Sequence, residues 1–526
     1  MSDKENLCST SRRNFLCGTA VAFSAFAVSG LAVPRAAHLP NVPGRAARWQ
    51  RRNLLAPDFP AEMLDTYRLA VSRLLALPPS DPRNWYRLGL VHLLDCPHAN
   101  GWFLPWHRGY LGWFERICRE VTGRSDFALP YWDWTASPVL PRPFFEGVLD
   151  PAGKAFFMTS EAFAAAFHAP MQAYWSSLTS LQREQLYQRG YETFDSLWDS
   201  VVEKTERLGE RARQLSATAP ELGESVRNAV SLETLVSAFA PRTFAKFGGE
   251  ISSQHSESKK ISLLESSPHN QVHTGIGGLM GEFLSPFDPI FWLHHANIDR
   301  LWADWMQLQS EEALPIVPEG DALRVWQDEP FAFFTDERGR PVEGYGSLDY
   351  TRADMFEYEF EPGTRVPPRL PPLRLGDSYI PGIVRQADLS TEVPAILSLN
   401  VPADLLLGVL QGGALNASLH VSDAHAASKW AFDLEVVASN GEAVEWAGRF
   451  EVFGTHGLGH HGATLNFTLS LAKAIRKLHA SGSLDLQSAL SLRLKLAPRN
   501  SEVVARVTNA STRAKLQVMS FGADIF

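Results

Sequence analysis

Two groups of histidines, each set among aromatic residues, constrain this chain more than any other feature. The first runs from His92 through Cys96-Pro97-His98 to Phe103-Leu104-Pro105-Trp106-His107-Arg108. The second runs from Glu265 through His269-Asn270 and His273 to Asp288-Pro289-Ile290-Phe291-Trp292-Leu293-His294-His295, then Asn297, Asp299, Arg300 and Trp302. Residues four apart lie on one helix face, so His269 and His273 can direct both imidazoles at a single ion. Such a pair alone is more often a solvated helix face. A second helix presenting His295 beside an aromatic wall, with a matching trio upstream and no cysteine pair or carboxylate cluster, changes that. Three imidazoles twice over form an all-nitrogen donor set, which suits copper better than zinc.

The surrounding pattern sets the domains. Apolar spacing predicts a helix over Leu54–Leu77, stopped by Pro78-Pro79, and another from Trp106 to Val121 that starts at or just before His107. Residues Leu178 to Ala240 read as peripheral helices inserted between the two motif regions, with no chemistry assigned. The proline-rich stretch from Pro362 to Pro372 reads as an extended linker. Beyond it apolar residues alternate, as in Trp430, Phe432, Leu434, Val436, then Leu465, Phe467, Leu469, then Leu492, Leu494, Leu496, the period of strands in a β-sandwich. The chain has 526 residues, 45% hydrophobic and 20% charged, which is globular composition with room for more than one core. A net charge of -9 without a long basic run excludes nucleic acid as a partner.

From about Trp85 to Trp305 the chain resembles the type 3 copper family of tyrosinases, catechol oxidases and haemocyanins. The resemblance rests on Phe103–Arg108 and Asp288–Trp302. It implies a mainly α fold, an antiparallel helix-bundle dicopper domain over residues 38–361. A linker over 362–376 and a C-terminal β-sandwich over 377–526 follow, the latter resembling the shielding domain of latent polyphenol oxidases. It implies that His92, His98 and His107 hold one copper and His269, His273 and His295 the other, with O2 as co-substrate and phenols as small-molecule substrates. His294 is carried over as a neighbour of the ligands rather than a ligand. Cys96-Pro97-His98 matches the pattern that in some members forms a thioether between Cys96 and His98, while Cys118 reads as a buried free thiol. Glu265 and Asn270 resemble the pair that holds a water acting as base towards the phenol, and Phe291 is positioned to stack over the coppers. Asp299 either reaches a ring N–H or pairs with Arg300, the pair being preferred. Tyr358-Glu359-Phe360 stands where Tyr-x-Tyr is common. Phe453, with Leu458 behind it, is the expected plug of the shielding domain, in a loop that also carries His456, His460 and His461.

Ser11-Arg12-Arg13-Asn14-Phe15-Leu16 before the apolar Cys17–Val33 stretch resembles a twin-arginine export signal over 1–37. Its removal would leave Cys96 and Cys118 as the remaining cysteines, in a periplasmic or secreted protein with no stable membrane association. The resulting expectation is a latent enzyme that hydroxylates monophenols and oxidises o-diphenols to o-quinones. The alternatives are a catechol oxidase, a haemocyanin-like O2 carrier, and a structural histidine cluster holding zinc or nothing. Oligomeric state is left open.

Overall fold

The computed structural model describes residues 48–520, apart from 253–260, 370–384, 390–393, 400, 402, 422–429, 439–440, 442, 452, 454–464, 488–489 and 499–513. The export signal, linker residues 370–376, and Leu458, His456, His460 and His461 lie outside the described residues.

Helix α1 covers Ala61–Ala76 and buries Leu64, Tyr67, Ala70, Val71 and Leu74 at helical spacing. It starts later than the Leu54 read from the sequence, because Pro57 and Pro60 lack the N–H a helix interior needs; Pro60 is the N-cap instead. Helix α2 (Trp85–Asp95) is capped by the Asn84 side chain, which accepts from the N–H groups of Tyr86 and Arg87. Helix α3 (Phe103–Thr122) begins four residues before His107, not at it, since Pro105 sits in the first turn where no helical donor is missed. It ends at Gly123, whose φ of 68° gives the left-handed cap.

The insertion folds into α4 (Ser160–Ser177), α5 (Ser180–Gln188), α6 (Phe194–Thr205), α7 (Glu224–Ala229), α8 (Leu232–Phe239) and α9 (Phe244–Phe247). After it a π turn over Glu265–His269 runs into α10 (Asn270–Ile276), followed by α11 (Ile290–Glu311) and α12 (Gly320–Trp326). Trp85, Trp102, Trp106, Trp132, Trp134, Trp292, Trp302, Trp305 and Trp326 are fully buried, so the tryptophans build the helical core around the histidines.

Strands β1 (Trp49–Arg51) and β2 (Tyr358–Phe360) pair in parallel, drawing the two ends of the helical region together. This pairing places Arg51 over the Tyr358 ring, 3.6 Å from its centroid. Arg51 then donates to Glu115 and to Asp299 Oδ2, both at 2.9 Å, while Arg108 donates to Asp299 Oδ1 at 2.6 Å and Tyr358 donates to Asp299 Oδ2. Asp299 therefore pairs with Arg51 and Arg108, not with Arg300 and not with a histidine ring. Arg300 turns to Asn297 and Asp304. Burial alone would lower the pKa of Arg51, but Glu115, Tyr358 and Asp299 outweigh it and raise it above the ordinary value.

The C-terminal region contains β3 (Arg385–Leu389), β4 (Ala395–Leu399), α13 (Ala403–Leu410), β5 (Asn416–Val421), β6 (Trp430–Val437), β7 (Val444–Glu451), β8 (Leu465–Ser470), α14 (Ala472–Ala480), β9 (Leu490–Pro498) and β10 (Ala514–Ser520). They form two four-stranded sheets, ordered β3-β10-β5-β8 and β4-β9-β6-β7. The alternating residues Phe432, Leu434 and Val436 of β6 and Leu490, Leu492 and Leu494 of β9 share a second core with Leu469, Leu405, Leu406, Val409, Ile475 and Leu478. Among the described residues no helix is long and apolar enough to cross a membrane.

Candidate metal centre

Four helices, a π turn and a loop bring the six imidazoles together. His92 comes from the last turn of α2, His107 from α3, His269 and His273 from the π turn and α10, and His295 from α11. His98 lies in the loop between α2 and α3, and the guanidinium of Arg189 holds that loop by donating to the carbonyls of Asp95 (2.6 Å) and Cys96 (3.0 Å). Arg213, also from the insertion, donates to Asp288 Oδ2 at 2.6 Å, and Asp288 Oδ1 in turn accepts from the N–H of Ile290 at the start of α11. The insertion thus steadies both motif regions, a role that its charged, helix-prone sequence does not disclose.

Hydrogen bonds fix which nitrogen faces inward for five of the six rings, while His295 Nδ1 is buried without a partner among the described residues. His92 Nδ1 donates to the carbonyl of Phe283 (2.9 Å), His107 Nδ1 to that of Phe103 (2.8 Å), and His273 Nδ1 to that of Met280 (2.7 Å). His98 Nδ1 donates to Glu265 Oε1 (3.1 Å) and His269 Nδ1 to Asn270 Oδ1 (2.8 Å). A carbonyl can only accept, so a neutral ring in these settings carries its lone pair on Nε2. Burial favours that neutral form: it pulls His92 and His269 down to about 3, and holds His98, His107, His273 and His295 well below the usual histidine range.

The inward nitrogens converge. His295 Nε2 lies 3.3 Å from His269 Nε2 and 3.1 Å from His273 Nε2, and His92 Nε2 lies 3.4 Å from His98 Nε2. Between His92 and His98, whose Nδ1 atoms both carry the proton, the facing lone pairs repel unless a cation lies between. The separations are those of nitrogens that each sit about 2.0–2.1 Å from one shared ion. The residues present therefore fit a bound metal, and two of them, since the ring of His107 stacks on that of His295 at 4.1 Å and 11° and joins the groups side by side.

The neighbouring residues follow the sequence expectations unevenly. Phe291 is fully buried, 4.2 Å from the His295 ring and 5.2 Å from that of His92, and forms part of the wall. Cys96 and Cys118 are buried and form no disulfide, and Cys96 Sγ lies 3.4 Å from His107 Nε2. His294 stands with His269, His273 and His295 in one buried group, yet neither of its nitrogens has a hydrogen-bond partner among the described residues. It orients no ligand by a hydrogen bond. Glu265 Oε1 also accepts from the N–H of Ala99 at 2.7 Å, whereas Oε2 is buried without a partner, and burial pushes this carboxyl up to about 8. From the C-terminal region Phe453, 8% exposed, places its ring 4.3 Å from that of His273, 5.2 Å from His98 and 5.8 Å from His269.

Residues 72–308 match the profile of the common central domain of tyrosinase. Over 243 residues the chain is 31% identical to a tyrosinase from Streptomyces glaucescens, spanning 74% of that protein and 44% of this one. The chain belongs to the tyrosinase family. A tyrosinase from Hahella sp. is 26% identical over 344 residues, 57% of this chain and 61% of that one, and the match to spinach polyphenol oxidase spans 45% of that protein. The chain thus covers under two thirds of these longer relatives. Among solved structures, a latent aurone synthase (polyphenol oxidase) superposes with a TM-score of 0.53 at 18% identity over 91% of both chains. The tyrosinase from Burkholderia thailandensis gives 0.51 at 17% over 89% of this chain and 99% of that one. At these identities the likeness is one of fold. The cofactor of this tyrosinase-family chain is a pair of copper ions, and its two histidine groups suit that dinuclear site.

Proposed function

We propose that the chain is a latent, exported phenol oxidase that hydroxylates monophenols and oxidises o-diphenols to o-quinones. The observation that carries this reading is the convergence of six imidazoles, five buried and His98 half-buried, beneath the aromatic side chain of Phe453. His92, His98 and His107 hold one copper and His269, His273 and His295 the other. When bound, the copper pair supplies the two-electron chemistry with O2. The carbonyls of Phe283, Phe103 and Met280, with Glu265 and Asn270, keep Nδ1 protonated on His92, His107, His273, His98 and His269 and fix those five rings. Phe291 and the surrounding tryptophans exclude water and offer a ring-shaped face to a phenol.

A phenol near neutral pH is almost wholly protonated and reacts better as phenolate. Glu265, with Asn270, holds the water that takes this proton, and the support is that Glu265 Oε2 is buried without a protein partner while Oε1 is occupied by Ala99 and His98. Replacing Glu265 with Gln keeps an acceptor for both of those donors and removes the base. The expected result is a fall of about 100-fold in monophenol oxidation, with catechol oxidation within a few-fold of the parent, both followed as O2 uptake. An equal fall with both substrates would remove the base role and leave Glu265 as a ligand-orienting residue. A parent chain that oxidises catechol alone would make the protein a catechol oxidase.

Residues 377–526 act as the shielding domain, a β-sandwich in which the two four-stranded sheets enclose the shared core, joined by the linker 362–376. Phe453 is its plug. The paired arginines Arg12 and Arg13 support export by the twin-arginine route.

A further inference from the structure

We infer that Ser266 is a positioning residue that latches the C-terminal sheet to the turn carrying the copper ligands. Strand β8 lies at the edge of the sheet ordered β3-β10-β5-β8, so the backbone groups on its outer side have no strand to pair with. The Ser266 hydroxyl answers both at one residue. It donates to the carbonyl of Thr468 at 2.6 Å and accepts from the N–H of Thr468 at 3.3 Å. Thr468 Oγ1 adds a bond to the carbonyl of Ile261 at 2.9 Å, one turn upstream. Both Ser266 and Thr468 are buried, at 1% and 7% exposure, so water does not compete for these groups.

The latch bears on the metal because of what adjoins it. Glu265, the preceding residue, holds His98 through Nδ1 and the N–H of Ala99, and is itself fixed by the Ser262 hydroxyl accepting from its N–H at 3.2 Å. His269 closes the same π turn. One hydroxyl therefore sets the turn that orients a ligand from each histidine group, while the C-terminal region also supplies Phe453 to the face of the site. Ion pairs of Arg476 with Glu233 (Nε, 3.0 Å) and a bond of Lys473 to Asn228 hold α14 against α8 and α7 nearby. The C-terminal region is thus a part of the ligand scaffold as well as a cover.

The inference rests on the dicopper reading, and the test separates the two. The full-length apoprotein is titrated with Cu(I) in equilibrium competition with a soluble chelator, which reads affinity rather than access. The parent is expected to bind two coppers per chain. Ser266→Ala is expected to bind copper about tenfold more weakly, the low end of what residues behind metal ligands contribute, and Ser266→Thr, which retains the hydroxyl, to restore most of the affinity. Parent affinity in Ser266→Ala overturns the latch, as does a loss that Ser266→Thr does not restore. A parent that binds no copper overturns the dicopper reading and the latch with it. If Ser266→Ala does not fold, Ser266→Val takes its place, matched in shape to Ser266→Thr but without the hydroxyl. Weaker copper binding than in Ser266→Thr then supports the latch and equal binding overturns it.

Discussion

Replacing Phe453 with Ala is expected to raise phenol oxidation by the full-length chain about 100-fold at low substrate concentration. The Phe453 ring packs against the rings of His273, His98 and Phe283, at 4.3, 5.2 and 5.7 Å, in the space a phenol needs to reach the inward nitrogens. Substrate must therefore displace it. Burying a phenylalanine is worth about 3–5 kcal/mol relative to alanine, part of it through the cavity left behind. Taking the lower figure, the plugged state loses about 3 kcal/mol of its advantage, which is roughly two decades in the fraction of open sites. The effect should appear in kcat/KM for catechol and monophenol alike, because the plug blocks the common entrance and takes no part in the proton transfer assigned to Glu265. An unchanged rate would place the barrier elsewhere. Reversible O2 binding without turnover in Phe453→Ala would favour an O2 carrier.

The second large effect is on folding. Asp299→Ala is expected to destabilise the helical region by about 3–5 kcal/mol, the usual consequence of removing one partner from a buried ion pair. Asp299 accepts from Arg51, Arg108 and Tyr358, and the side chains of Arg51 and Arg108 are 0% and 1% exposed. Glu115 still faces Arg51, but Arg108 keeps only the Thr351 carbonyl and the Met306 sulfur, with its guanidinium over the Trp302 ring at 3.8 Å. An uncompensated guanidinium at that depth has no route to water. Chemical denaturation of the copper-free protein measures the change without the contribution of bound metal. Asp299→Asn, which keeps an acceptor but no charge, should fall between the two. A loss below about 1 kcal/mol for Asp299→Ala would mean that solvent reaches the network.

These two cases also mark where the sequence was informative. Phe453 was singled out from the sequence as an aromatic residue beside glycines, and the structure places its ring against those of His273 and His98. The histidine groups are legible because imidazole is the commonest metal-ligating side chain and His-x3-His on one helix face is a local pattern. The strands of the C-terminal region follow from period-two alternation that carries through β6, β8 and β9. Helix limits were less so: a proline fits both the N-cap, as Pro60 does, and the first turn, as Pro105 does, and only the backbone path separates them. Asp299 was read beside Arg300 since the two are adjacent in sequence, yet its partner Arg51 is 248 residues away and arrives through the β1–β2 pairing. The carbonyls of Phe283, Phe103 and Met280 that set the ring tautomers are backbone atoms, which leave no mark in side-chain identity. Arg189 and Arg213 belong to an insertion whose charged helices look like solvent-facing structure until the loop and helix they hold are seen.

The measurement that bears most directly on the dinuclear reading is metal content of the purified full-length chain, taken with that of His295→Ala and with O2 uptake on a monophenol and a catechol. The expected result is near two coppers per chain in the parent. His295→Ala should retain close to one, since the His269 and His273 nitrogens lose their convergent partner, and uptake with both substrates should be abolished. A parent chain that takes up zinc or no metal under copper-replete conditions, or that holds two coppers and consumes no O2 with either phenol even as Phe453→Ala, would contradict it.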